Sequence, residues 1–115
     1  MHIRRTKLMI RYTQGSAPAS IEIARFFKLF ADEGRIKILK ALLDGSKCVT
    51  HICEAVDMEQ SAVSHNLAIL RRANLVKAKR SEKKMVYSIA DEHIRLILDM
   101  AIIHISDCDD EGREV

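Results

Sequence analysis

Two histidines stand eleven positions apart near the C-terminal end of the chain, each close to an aspartate: Asp91 with His93, and His104 with Asp107. Imidazole nitrogen and carboxylate oxygen are metal-ligating atoms. On a helix, eleven steps of ~100° come to ~1100°, so His93 and His104 share one face to within ~20°. Along the axis they are ~16 Å apart at ~1.5 Å per residue. One ion cannot touch both on the same helix. Two helices laid antiparallel bring Asp91 and His93 of one chain against His104 and Asp107 of the other. That creates two identical sites across a two-fold axis, each with two nitrogens and two carboxylates. The spacing predicts a homodimer with interfacial metal.

The element that must carry these residues begins at Asp91, which is suited to cap a helix. Ile94, Leu96, Ile97, Leu98, Met100, Ile102, Ile103 and Ile105 make that helix apolar nearly all round. Such a helix is buried on more than one side. In a chain of 115 residues it is expected to pack on its own domain and on a partner subunit. This is a second, independent argument for a dimer.

The rest of the composition bounds the fold. Hydrophobic residues make up 48% and aromatics only 4%, so the core must be aliphatic. One proline and four glycines favour helices over a β-sandwich. No apolar run reaches the ~20 residues of a membrane span. The first twelve residues carry Arg4, Arg5, Lys7 and Arg11 and lack the apolar segment of a signal peptide. Cys48, Cys53 and Cys108 are odd in number, against a secreted disulfide framework. A cytoplasmic protein without a membrane partner is expected.

Residues 1–19 read as a flexible basic arm, closed by the turn-like Gly15, Ser16, Ala17, Pro18 and Ala19. A domain of residues 20–107 follows, and 108–115 form an acidic tail. Ser20 is expected to cap a first helix with Ile23, Phe26, Phe27 and Phe30 on its stripe. A second helix should run from about Glu33 to Leu43, with Ile36, Leu39, Leu42 and Leu43 inward and Asp44-Gly45 as its stop. Val49 to Val56 and Gln60 to Ala73 are two further helical patterns, joined by the turn Asp57, Met58, Glu59. In the longer one Val63, Leu67 and Leu70 bury one face, which leaves Ser61, Ser64, His65 and Ala68 outward. A short support helix, a tight turn and a helix with a small, polar outer face make a helix-turn-helix pattern.

Residues 60–90 hold seven Lys/Arg (Arg71, Arg72, Lys77, Lys79, Arg80, Lys83, Lys84) against the single acid Glu82. Such a block in a chain of net charge +3 suggests a polyanion-binding face, with an ordinary solvated surface as the alternative. Leu75–Arg80 and Met85–Ile89 read as two strands joined through Ser81, Glu82, Lys83 and Lys84. The hairpin tip thus carries Lys83 and Lys84, flanked by Arg80, where they meet phosphates. The predicted fold class is α+β, mainly helical: a winged helix-turn-helix with a two-stranded β-wing and a terminal dimerisation helix.

Gln60, Ser61, Ala62, Val63, Ser64, His65, Asn66 and Leu67, followed by Leu70, Arg71, Arg72, Ala73, Asn74, Leu75 and Val76, resemble the recognition helix and wing entry of the ArsR/SmtB metal-sensing repressors. The resemblance spans about residues 20–107 and is greatest to the zinc-sensing branch. It implies a dimeric winged helix-turn-helix protein that binds operator DNA metal-free and releases it on binding metal. It places Gln60, Ser61, Ser64 and His65 in the major groove. Many members have a second histidine where this chain has Asn66.

Asp91, His93, His104 and Asp107 supply four nitrogen or oxygen donors suited to tetrahedral Zn(II), with Co(II) as a substitute. In the zinc-sensing branch the last ligand, three residues after the second histidine, is an acid or a histidine, which fits Asp107. The bland alternative makes Asp91 only a cap and the histidines polar interface residues. Thiol-using members carry three cysteines in the support helix; here Cys48 and Cys53 match two of them, with Thr50 at the middle position. With His51 they offer an alternative soft site for As(III), Cd(II) or Pb(II), or a redox sensor. His2 stands in the arm, which has no cysteine to complete that site, and Cys108 is expected to be a bystander. Otherwise Cys53 is a small buried hydrophobe and Cys48 an incidental thiol. A metal-independent winged-helix regulator is the remaining binding-protein alternative. A catalytic metal keeps an open coordination position, which four protein ligands do not leave. Nor does a Gly-rich phosphate loop or nucleophile signature occur, so no enzyme is expected.

Overall fold

The computed structural model describes residues 17–110, with backbone alone for 108–110. Most of the expected arm, including His2, Arg4, Arg5, Lys7 and Arg11, lies outside the described residues, as do the side chains of Cys108 and the acidic tail. The chain divides into two compact units between Ala31 and Asp32.

The first unit contains α1, Ser20–Lys28. Ser20 is its first helical residue and Ala19 the N-cap, one position before the expected cap. The Glu22 side chain reaches back and accepts from Ala19 N–H at 2.9 Å, supplying the capping bond that alanine cannot. Phe26 stacks edge-on to Phe27 and Phe30, with centroids 5.5 and 5.2 Å apart.

The second unit runs α2 (Glu33–Leu42), β1 (Lys47–Cys48), α3 (Val49–Val56), α4 (Gln60–Arg72), β2 (Val76–Ser81), β3 (Lys84–Ile89) and α5 (Glu92–Asp110). The N-cap of α2 is Asp32, whose carboxylate accepts from Arg35 N–H at 3.0 Å. Asp32→Ala should therefore lower stability by about 1 kcal/mol, read as a shifted urea midpoint at unchanged slope. α2 ends at Leu42, and Gly45, at φ 145°, turns the chain back toward the sheet. That φ favours glycine.

Helices α2, α3 and α4 pack on one another. Their contact is aliphatic: Ile38, Leu39 and Leu42 from α2, Ile52 and Val56 from α3, and Val63, Leu67 and Leu70 from α4 are all buried. Ile36 and Leu43, expected inward, are only half-buried; Ile38 takes their place. Asp57 ends α3 in the left-handed region (φ 57°) and donates its N–H to Cys53 O at 2.9 Å. Aspartate tolerates that conformation better than bulkier residues, and it gives the sharp bend between α3 and α4. Asn74, at φ 67°, does the same between α4 and β2.

The sheet has three antiparallel strands in the order β1-β3-β2, one more than the expected two-stranded wing. β1 is two residues long, pairing Lys47 with Tyr87 and Cys48 with Val86, and so leaves no alternation to detect. Ser81 pairs with Lys84, so Glu82 and Lys83 alone make the wing turn, with Glu82 at φ 58°. Lys47 anchors β1 to the end of α2: its ammonium donates to Ala41 O and Asp44 Oδ1, both at 2.6 Å. The side-chain hydrogen bond and charge of Lys47 hold the exposed Asp44 carboxyl below the usual carboxylate range.

Candidate functional site

α5 is a continuous helix that starts where expected. Asp91 Oδ1 accepts from Ile94 N–H at 3.1 Å, the N-cap bond, and lies 3.5 Å from His93 Nδ1. The cap therefore aims its carboxylate at the neighbouring imidazole. His104 and Asp107 stand on the same helix near its other end. Ile94 and Leu98 anchor the first half of α5 in the core, at 5% and 3% exposure. Arg95, half-buried, donates through Nη1 to Leu43 O at 2.6 Å and ties α5 to the C-terminal end of α2.

The second half of α5 differs. Met100, Ile102, Ile103 and Ile105 are 39–55% exposed. Asp91, His93, His104 and Asp107 are exposed too. Along the helix, His93, Ile97, Met100, His104 and Asp107 follow the alternating spacing of four and three that keeps residues on one seam of a paired helix. Ile97 is half-buried and Met100 is 55% exposed. This seam was legible as a heptad pattern, but histidines at its ends hide it from a search for apolar periodicity alone. Among the described residues no three His, Cys, Asp or Glu side chains converge within one protomer. This agrees with the ~16 Å separation of His93 from His104.

The thiols sit elsewhere. Cys48 is the N-cap of α3 and is buried at 8% exposure, while Cys53 is half-buried within α3 and His51 is exposed. Cys48 thus takes the buried role that sequence context assigns to Cys53.

The helix-turn-helix residues Gln60, Ser61, Ser64 and His65 are all exposed on α4, as are Ala68, Arg71 and Arg72. Their outward face follows from the burial of Val63, Leu67 and Leu70 three and four residues apart. Asn66 turns away from that face. A Cβ on Gly34 would lie 3.2 Å from its Nδ2, so Asn66 packs against the start of α2. Arg80, Lys83 and Lys84 are exposed around the wing turn. One residue not singled out from the sequence joins this surface: Tyr87 lines a cleft with Ser64, Ala68, Arg71 and Arg72. Tyr87 reaches it because odd positions of β3 face α4, which only the register reveals.

Comparison with known proteins adds to this geometry. Residues 32–78 match the family described as "Bacterial regulatory protein, arsR family". The HTH-type transcriptional regulator NmtR of Mycobacterium tuberculosis is 42% identical over 75% of this chain and 72% of its own length. A cadmium resistance transcriptional regulatory protein CadC homolog of Staphylococcus aureus is 29% identical over 73% of this chain and 70% of its own. Among solved structures, a homodimeric winged helix-turn-helix DNA-binding domain from Mycobacterium bovis aligns with TM-score 0.70 and 25% identity, over 87% of this chain and 97% of that one. The matched residues 32–78 contain the helix-turn-helix.

Proposed function

Because the chain belongs to the arsR family of bacterial regulatory proteins, we propose that it is a metal-responsive transcriptional repressor, a cytoplasmic homodimer that holds operator DNA when metal-free and releases it on binding Zn(II). The observation that carries this is the α5 seam. Two ligand pairs stand at opposite ends of one helix, with exposed apolar side chains between them. An antiparallel second copy covers those side chains and joins Asp91 and His93 to the other copy's His104 and Asp107. Two imidazoles and two carboxylates would then hold zinc with four protein donors, a set that leaves no position for substrate. The homodimeric M. bovis structure and the regulatory role of the cadmium-resistance relative support a dimer and a metal effector.

In this mechanism α4 of each protomer enters a major groove, at half-sites about one helical turn apart. Gln60, Ser61, Ser64 and His65 face the bases; Arg71, Arg80, Lys83 and Lys84 meet phosphates. Held by Asp91 and His93 of one copy and His104 and Asp107 of the other, zinc would tie the α5 helices together and favour a dimer geometry in which the two α4 helices no longer match that spacing. Arg95 ties α5 to α2, which packs on α3 and α4, so a change at α5 has a direct mechanical route to the reading heads. Coupling is reciprocal: DNA weakens zinc as much as zinc weakens DNA.

A metal titration of the operator complex by mobility shift tests the proposal, and unchanged operator affinity at saturating zinc overturns it. The double role of Asp91 separates cleanly. Asp91→Asn should keep the cap, changing stability by less than about 0.5 kcal/mol, because Asn and Asp cap equally well. It removes an anionic ligand and should weaken zinc at least tenfold, within the range seen when a metal site is disturbed. X-ray absorption on the zinc-loaded protein gives the first shell; sulfur there would move the assignment to Cys48 and Cys53.

A further inference from the structure

The wing has two unlike faces. Ladder pairs alternate between them: Val76 with Ile89, Ala78 with Tyr87 and Arg80 with Met85 on one face, Lys77 with Ser88, Lys79 with Val86 and Ser81 with Lys84 on the other. The first face is the packed one. Val76 and Ile89 are buried, and Tyr87 borders α4. The second face looks away from α4 and carries one exposed lysine on each of three consecutive rungs: Lys77, Lys79 and Lys84. They line a groove with Ser46, His51 and Ser88, in which six Lys/Arg face the single acid Glu82. One of the six, Lys47, is already committed to Asp44 and Ala41 O.

We propose that this outer face is a second phosphate-binding track, which grips duplex DNA lying beyond the wing, outside the stretch read by α4. The inference rests on the DNA-binding function proposed above. An ordinary solvated face mixes charges of both signs. A row of one sign repels itself, and a polyanion relieves that repulsion. The dimensions fit: rungs on one face are ~6.7 Å apart, so three span ~13 Å, about four nucleotides at ~3.4 Å each. Position sets the ligand. DNA that meets α4 lies on the Tyr87 side of the hairpin and extends to the wing turn, where Lys83 and Lys84 stand, so phosphates along Lys77 and Lys79 on the other side belong to the flank.

The test uses the full chain and two duplexes centred on one site selected by the protein from random sequence, about 20 and about 40 base pairs long, the shorter spanning roughly two half-sites. Affinity is measured by fluorescence anisotropy between about 50 and about 200 mM salt. Lys77→Gln with Lys79→Gln should lower the slope of log K against log salt by about 1.8 per seated protomer on the longer duplex, two contacts at about 0.9 each. Over that salt range this is about a 12-fold smaller loss of affinity, and Lys→Arg at both sites should restore it. On the shorter duplex the two proteins should coincide. Lys37→Gln with Lys40→Gln, an equal charge change on α2, should leave the slope alone. A wild-type slope in the Lys77/Lys79 variant overturns the track, as does an equal loss on both duplexes or in the α2 control. A wild-type chain that selects no site and binds neither duplex sinks the DNA-binding function itself, and the track with it.

Discussion

Replacing His104 with alanine should leave metal-free operator binding within about twofold of wild type while abolishing the response to zinc. On the proposed mechanism, a coupling of about 1–3 kcal/mol would make zinc weaken the wild type's operator affinity about 5- to 150-fold. His104 lies on α5, remote in sequence from the α4 and wing residues assigned to DNA, and is exposed in the protomer, so its truncation opens no core cavity. What it removes is one nitrogen from each proposed interfacial site. The remaining three donors come from both protomers but no longer close the tetrahedron, so the cross-link that biases the dimer is lost. The measurement is the ratio of operator dissociation constants with and without saturating zinc, on duplex selected by the protein from random sequence. A ratio near one in the variant, beside a large one in the wild type, supports the site. A variant that responds like the wild type means that the sensing ligands lie elsewhere, with Cys48 and Cys53 next in line.

Leu39→Ala should damage the folded state far more than loss of the Asp32 cap or any change at the exposed residues proposed to bind zinc. Leu39 is fully buried where α2 meets α3 and α4. Deleting its isopropyl group loses transfer free energy and leaves a cavity, together about 2–5 kcal/mol. Domains of this size hold about 5–15 kcal/mol in all, so the variant should unfold at a much lower urea concentration with a similar slope. The consequence reaches function, because the same three helices set the angle of α4. A variant as stable as wild type would show that the α2–α3–α4 contact is not the core that its burial indicates. Both experiments touch helices that recognise or regulate DNA, yet they read different quantities: His104 a ratio of affinities, Leu39 a free energy of unfolding.

Much of this protein is legible in the order of its residues. The spacing of Val63, Leu67 and Leu70 determined which face of α4 is buried, and so which of Gln60, Ser61, Ser64 and His65 look outward. Helical periodicity is local, and one buried stripe orients the whole element. The bend at Asp57, the cap at Asp91 and the eleven-residue interval between the histidines are likewise properties of the backbone and of residue type.

Other features were decided only by tertiary structure. The two residues of β1 become a strand because β3 offers them partners, not through any pattern of their own. Cys48 is buried while Cys53 is only partly so, because β1 pulls the start of α3 against the sheet. Asn66 packs against Gly34, although the family resemblance aligns it with a histidine. The register of β2 on β3 gathers Lys77, Lys79 and Lys84 onto one face and leaves Arg80 on the other. Sequence settles what depends on neighbours within one or two turns. Which distant segments meet, and in what register, depends on the packing free energy of the whole chain, which no local window contains.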